Sequence, residues 1–175
     1  MLLQRFLTAI LLGGGVRMGV MPDGEVVGLA ISELDLPREV LDFIVEGWGI
    51  ERLYPPQSEA IPYALAGDNL LLEMPTASGK TLVAYMAILR KLLVDEPGSR
   101  AVYIVPLKAL ASEKVEELQQ AGDALGLNVG IAIGDRTGEA KRIDDADVLV
   151  CTSEKFDSML RNRDDLLERV SVVVA

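Results

Sequence analysis

Five apolar runs of strand length, separated by segments with helical periodicity, constrain this chain more than any other feature. They lie at residues 69–73, 101–105, 128–133, 147–151 and 170–174. Each reads as a continuous apolar stretch rather than an alternating one, the pattern of strands buried on both faces of a parallel sheet. Between them, residues 80–94 and 108–125 read as helices, and 154–161 and 164–169 as shorter ones. In the segment 108–125, Ala111, Val115, Leu118, Ala121 and Leu125 fall on one stripe, as a helix laid on a sheet requires. Strand and helix in alternation predict βαβ crossovers and a three-layer α/β domain on a parallel sheet. Upstream, Val40, Leu41, Ile44 and Val45 share a helix face between Pro37 and the glycines Gly47 and Gly49. Ala60, Ile61, Ala64 and Leu65 share another. Residues 26–31 read as a short strand, and no repeat, low-complexity tract or linker divides residues 26–175.

Composition limits the chemistry. The 175 residues include no histidine and a single cysteine, Cys151. Those counts exclude an intramolecular disulfide, a cysteine-rich zinc site, a histidine-based triad and an imidazole general base. Catalysis is left to carboxylates, lysine, hydroxyls, backbone amides or a borrowed ion. The unpaired cysteine suits a reducing, cytoplasmic compartment. With 17 basic and 27 acidic residues the net charge is −10, which gives no global basic footprint for nucleic acid. The apolar run at residues 6–12 loosely imitates a signal peptide. It is too short to span a bilayer and no clear cleavage site follows it. Residues 1–25 are therefore expected to be a disordered extension or a mis-assigned start ahead of Met18 or Met21, and no membrane partner is expected.

The run at 69–73 leads directly into Met74-Pro75-Thr76-Ala77-Ser78-Gly79-Lys80-Thr81 and then a helix. Strand, loop, Gly-Lys-Thr and helix together make the setting of a phosphate-binding loop. Successive backbone N–H groups and a helix N-terminus form a nest for phosphates. Gly79 lets the backbone approach closely, Lys80 places a cation on the β- and γ-phosphates, and the Thr81 hydroxyl is a ligand for Mg²⁺. The strict pattern has glycine where Met74 stands. The plainer alternative is an ordinary strand-to-helix turn.

The flanks separate the classes that share such a loop. The segment from Pro75 to Thr81 resembles motif I of superfamily 2 helicases. Tyr54-Pro55-Pro56-Gln57 with Ala60-Ile61 looks like their Q motif, Pro106-Leu107-Lys108-Ala109-Leu110 like motif Ia, and Thr152-Ser153-Glu154-Lys155 like motif Ib. Gly134-Asp135 resembles the small element between the last two. The likeness covers about residues 32–175 in the family's order. Leu34-Asp35-Leu36-Pro37 and the Thr-Ser-Glu-Lys segment resemble the Ski-like branch, most of all the archaeal DNA-repair helicases related to the polymerase theta helicase domain.

This resemblance implies a RecA-like P-loop NTPase fold over residues 26–175, the first of two such domains, with ATP and Mg²⁺ as cofactors. It implies that Gln57 reads the adenine edge, and that Tyr54 lies near the base (plain core packing is the alternative). Pro75, Thr76, Ala77, Ser78, Gly79, Lys80 and Thr81 would hold the nucleotide, with Lys80 and Thr81 in the catalytic role and Thr81 on the metal. Pro106, Lys108, Ala109, Thr152, Ser153 and Lys155 would contact the backbone of single-stranded or forked DNA, with RNA possible. The bland readings stand beside these. Lys108 and Lys155 can be solvated lysines, Thr152 and Ser153 helix caps, Asp135 a turn residue, and Trp48 and Cys151 packing residues.

Motif II of the family, Asp-Glu-x-His, should follow the run 170–174, where the sequence ends at Ala175. The domain is thus expected to be incomplete at its C-terminus, and the 175 residues alone to hydrolyse little or no ATP and to bind DNA weakly, more so as salt rises. Two other classes compete. A P-loop kinase or GTPase-like switch explains Gly-Lys-Thr but not the flanking segments, and a non-catalytic module would bind nucleotide or DNA without turnover.

Overall fold

The computed structural model describes residues 28–73, 79–134, 143–162 and 165–175. Four strands form one sheet: β1 (Arg100–Val105), β2 (Val129–Ala132), β3 (Val148–Thr152) and β4 (Val170–Val174), in the order β2-β3-β1-β4. Every pairing is parallel. The helices are α1 (Arg38–Glu46), α2 (Pro55–Leu65), α3 (Lys80–Arg90), α4 (Lys108–Leu125) and α5 (Ser153–Asn162). Parallel neighbours need crossovers, and α4 and α5 supply two of them. The bounds of α4 match the expected 108–125, because Leu107 is extended ahead of it and Gly126, at φ 73°, ends it in the left-handed region.

The sheet is covered on both faces, which makes the expected three layers. Ala101, Val105, Val148 and Val150 face Tyr85 and Ile88 of α3 and Ala111 and Leu118 of α4. Val102, Leu149 and Cys151 face Met159 of α5 with Phe156 and Leu166. Burial alternates in target rather than in degree, so β3 is buried at all five positions and reads in sequence as an unbroken apolar run. Beyond α3, Ile31, Val40, Ile44, Ile61 and Met86 join α1, α2 and α3 in a further core. Each such side chain contributes roughly 1.5–3 kcal/mol by leaving water. In α4, Ala111, Leu118 and Ala121 are buried, with Val115 and Leu125 packed at the margin.

β4 keeps its parity with β1 through an irregularity. Arg100 pairs with Val170 but Ala101 pairs with Val172, so Ser171 is an extra residue. The bulge lets Val170 and Val173 share one face while Val172 and Val174 take the other. The Ser171 hydroxyl meets that of Ser99 at 2.7 Å.

Several expected elements differ. Residues 69–73 form no strand. Leu70 and Leu72 turn inward and Leu71 stands 85 % exposed, the alternation of a strand without its ladder. The nearest sheet edge is β4, but a cavity of about 220 Å³, lined by Leu70, Leu72, Val83, Ala87, Val172 and Val174 among others, lies between them. Backbone hydrogen bonds do not reach across such a gap. Of the strand expected at 26–31, Ala30 makes an isolated antiparallel bridge to Arg52, and Ile31 opens a 3-10 turn; residues 26 and 27 lie outside the described residues. The helix expected over 80–94 is α-helical to Arg90 and then a π-turn, Lys91–Asp95. The helix expected over 164–169 is a single 3-10 turn, Asp165–Leu167, with residue 164 outside the described residues. Residues 1–25 also lie outside them.

Candidate nucleotide and nucleic-acid site

Gln57 and Gly79 are 22 positions apart and meet. Pro55 and Pro56 start α2 with their φ angles preset and no N–H to satisfy. Gln57 then sits at the third helical position, where its side chain reaches back to the helix start. The Tyr54 backbone N–H donates to Gln57 Oε1 at 2.7 Å, as in a capping box. The other end of the same amide, Nε2, donates to the Gly79 carbonyl at 3.0 Å. Gln57 is 3 % exposed. Tyr54 is 64 % exposed, so plain core packing does not describe it.

Gly79 is required here on two counts. Its φ is 81°, in the region that disfavours a side chain, and an added Cβ would lie 2.0 Å from Gln57 Nε2. It caps α3 without any side-chain bond to the first turn, so the helix begins with Lys80 and Thr81 beneath a glycine cradle rather than under a capping side chain. A helix N-terminus without a capping side chain can take an anion. The donor chemistry suits a polyphosphate: backbone amides, a lysine at the first helical position and a hydroxyl at the second. Pro75, Thr76, Ala77 and Ser78 lie outside the described residues.

The expected nucleic-acid residues gather at the C-terminal edge of the sheet. Val105 pairs with Thr152, so the turns after β1 and β3 are neighbours. Pro106, Lys108 and Ala109 are exposed. A Cβ on Gly134, at φ 63° after β2, would come 3.5 Å from Lys108 Nζ; this lysine therefore leans over the third turn of the edge. Ser153 is exposed and Lys155 half-buried. Thr152 is 6 % exposed, and its Oγ1 accepts the Lys155 N–H at 3.4 Å, so its hydroxyl works as a cap on α5. Asp135 lies outside the described residues. Cys151 is buried among Val102, Leu149 and Met159, and burial pushes its thiol up to about 11, against the pull of Lys155. Trp48 packs edge-on to Phe43 at 4.9 Å and against Tyr85 at 5.5 Å, the packing role.

A cluster between α3 and α4 is not anticipated by the motifs. Tyr85 of α3 donates its hydroxyl to Glu117 of α4, whose carboxylate also accepts from Lys114 at 2.9 Å. Burial and then this carboxylate raise the Tyr85 phenol far above its ordinary value. Burial disfavours the Glu117 charge, yet hydrogen bonds from Lys114 and Tyr85 hold its carboxyl below the usual range. Tyr103 of β1 lies tilted against Tyr85 with ring centres 6.0 Å apart, and burial raises its phenol. The available signal was a tyrosine inside an apolar strand, since a buried phenol needs a partner.

No helix of the described residues is long and apolar enough to cross a membrane. The profile of the DEAD/DEAH box helicases matches residues 54–175, which takes in every site residue named above. The ATP-dependent DNA helicase Hel308 of Methanocella arvoryzae is 48 % identical over 152 residues, 84 % of this chain and 20 % of that protein. The protein of the same name from Pyrococcus abyssi is 45 % identical over 147 residues, 83 % of this chain and again 20 % of its own. This chain therefore spans about a fifth of the length of the curated relatives it matches. Among solved structures, the DUF1998 helicase MrfA bound to DNA and AMPPNP superposes with a TM-score of 0.66 at 25 % identity, over 79 % of this chain and 21 % of that one. A hypothetical ATP-dependent RNA helicase from Sulfolobus tokodaii gives 0.65 at 21 % identity over 79 % and 40 %, a likeness of fold. Parallel sheet, glycine-capped α3, the glutamine seated on it and the profile match agree: the chain belongs to the DEAD/DEAH box helicase family, on a RecA-like domain.

Proposed function

We propose that this chain is the first, ATP-binding motor domain of a cytoplasmic ATP-dependent DNA helicase, which acts with a second RecA-like domain on single-stranded or forked DNA. The observation that carries the reading is the Gln57–Gly79 hydrogen bond. It seats a purine-reading amide on the rim of the phosphate cradle. A carboxamide has two acceptor and two donor positions. One of each is used, for the Tyr54 N–H and the Gly79 carbonyl, so an acceptor and a donor remain for the N6 and N7 edge of adenine. Guanine presents O6 there in place of an amino group, which sets ATP above GTP. Exposed Tyr54 stands at the entrance to α2, where a base could lie against its ring.

When bound, ATP would supply the phosphoanhydride to be cleaved, and Mg²⁺ would supply charge neutralisation. The residues of this chain hold and orient. Lys80 and the loop from Pro75 to Gly79, through its N–H groups at Thr76 to Gly79, would bind phosphate, and the Thr81 hydroxyl would be the protein ligand of the cation. Pro106, Lys108 and Ala109, with Ser153 and Lys155, grip the nucleic-acid backbone at the sheet edge, a contact that positions without reading sequence. Thr152 serves that grip through its cap on α5 rather than by touching phosphate. The DNA assignment rests on the names of the relatives; a backbone grip suits RNA as well.

Displacement of a fluorescent ATP analogue from the chain tests this reading. ATP should compete at least about tenfold better than GTP, since a donor–acceptor mismatch at a buried amide costs of that order. Lys80→Ala should abolish binding. Equal or better competition by GTP would instead support a GTPase-like switch.

A further inference from the structure

The direction in which the Gln57 amide points is set from outside the residue. Its Oε1 accepts the Tyr54 backbone N–H at 2.7 Å and its Nε2 donates to the Gly79 carbonyl at 3.0 Å. The amide therefore depends on where the Tyr54 peptide stands. Tyr54 is the extended residue ahead of α2, at φ −68° and ψ 153°. Its carbonyl accepts twice from the turn above, from the Ser58 N–H at 2.9 Å and from the Ser58 hydroxyl at 3.2 Å.

The Ser58 hydroxyl is held in turn. It accepts the Leu29 N–H at 2.9 Å, from 29 positions away. A hydroxyl has one proton and two lone pairs; here a lone pair faces Leu29 and the proton faces the Tyr54 carbonyl. Segment 28–31 is laid firmly in place. The Leu53 N–H donates to the Leu29 carbonyl at 2.9 Å and the Ile31 N–H to the Glu51 carbonyl at 3.0 Å, while Arg52 Nη1 donates to the Gly28 carbonyl at 3.1 Å. A Cβ on Gly28 would fall 1.7 Å from the Leu53 carbonyl oxygen and 3.0 Å from Ser58 Oγ, so the chain passes where no side chain fits. Hydrogen bonds thus run without a break from Leu29 through Ser58, Tyr54 and Gln57 to Gly79. Consecutive hydrogen bonds polarise and strengthen one another. Residues 28–31 precede the part of the chain that matches the helicase profile, and Ser58 is none of the residues that the motifs single out.

We propose that Ser58 is a positioning residue for base recognition: its hydroxyl, fixed by Leu29, holds the Tyr54 peptide so that Gln57 presents its spare donor and acceptor in one orientation. A carboxamide turned end for end exchanges donor for acceptor, and with them its match to the adenine edge. The proposal rests on the nucleotide-binding reading above and extends that site to Ser58 and to segment 28–31.

The test displaces a fluorescent ATP analogue from the full chain with ATP, with GTP and with inorganic triphosphate, which reports the phosphate cradle without a base. Ser58→Ala should lower the preference for ATP over GTP about threefold or more, the scale of one lost hydrogen bond, and leave competition by triphosphate unchanged. A general loosening of the site would weaken all three competitors together. Ser58→Thr keeps the hydroxyl and should restore the wild-type preference. In a Gln57→Ala chain, Ser58→Ala should lower the preference no further, because it acts through the amide. Urea unfolding followed by Trp48 emission should show Ser58→Ala folded. The proposal alone is overturned if Ser58→Ala keeps the wild-type preference, weakens all three competitors equally or loses its fold. It is overturned as well if Ser58→Thr behaves as Ser58→Ala does, or if the two substitutions add. Wild type that binds no nucleotide, or that shows no preference for ATP, overturns the functional reading and this proposal with it.

Discussion

Arg100 and Gln57 are buried almost equally, at 2 % and 3 % exposure, yet they do opposite things. Arg100 opens β1 at the N-terminal edge of the sheet. Its Nε donates to the Ala146 carbonyl at 2.7 Å, and its two terminal nitrogens to the carbonyls of Leu166 and Asp144 at 2.8 and 2.6 Å. One guanidinium thereby gathers the approach to β3 and the approach to β4 onto β1. Gln57 sits by the glycine cradle with half of its amide capacity in use. A buried polar group with its bonds made rigidifies a structure, whereas one with bonding positions left over beside a cradle is equipped for a ligand. The lesson is that burial alone does not separate architecture from function; the count of spare donors and acceptors does.

Substitutions can break or sharpen that contrast. The largest effect is expected from Arg100→Met, which fills much of the space but leaves three carbonyls without their donor. Stability should fall by about 3–5 kcal/mol, read from urea unfolding followed by the emission of the single tryptophan, Trp48. A loss under about 1 kcal/mol would show that the carbonyls find water and that the arginine is no pin. Gly79→Ala should come next, at about 1–3 kcal/mol from left-handed strain and the collision with Gln57, and should harm nucleotide binding more than stability. Adding Gln57→Ala should relieve the collision but not the strain, so the double variant should recover part of the stability and none of the binding. If it recovers neither, the close approach of the two residues is not what limits the site. The smallest effect is expected at Arg38, which pairs with Asp42 at 2.9 Å on the exposed face of α1. Arg38→Ala should shift the unfolding free energy by about 0.5 kcal/mol or less, and a shift above about 1 kcal/mol would mean that surface pairing contributes here on the scale of the buried contacts.

The strands show how far a pattern can be read. Residues 147–151 and 170–174 look alike in sequence, and both became strands. β3 is buried throughout, while every residue of β4 is half-buried, because β3 has neighbours on both sides and β4 on one. Apolar content speaks for a strand but carries no information about its neighbours. The run 69–73 failed for the same reason: its residues are suited to a sheet, and its nearest edge lies across a cavity. The site divides likewise. Gly79, Lys80 and Thr81 stand out because a phosphate cradle needs its residues in consecutive order, and Gln57 stands out by the Tyr-Pro-Pro-Gln segment around it. Tyr85 and Glu117 belong to no spacing, because they come from two helices and meet only once both are laid on the sheet. Thr152 stands out in sequence by its place at a strand end, and only the structure shows its hydroxyl accepting the Lys155 N–H.

The sequence by itself determined the α/β class, the extent of α4 and the family to which the motifs point. These properties are periodic or local, carried by residues within a turn or two of one another. Tertiary structure alone decided the strand order, the bulge at Ser171, the exposure of β4, the meeting of Gln57 with Gly79 and that of Tyr85 with Glu117. Those depend on which distant surfaces bury one another and which polar atoms are then left to pair, a choice made by the whole chain as it packs.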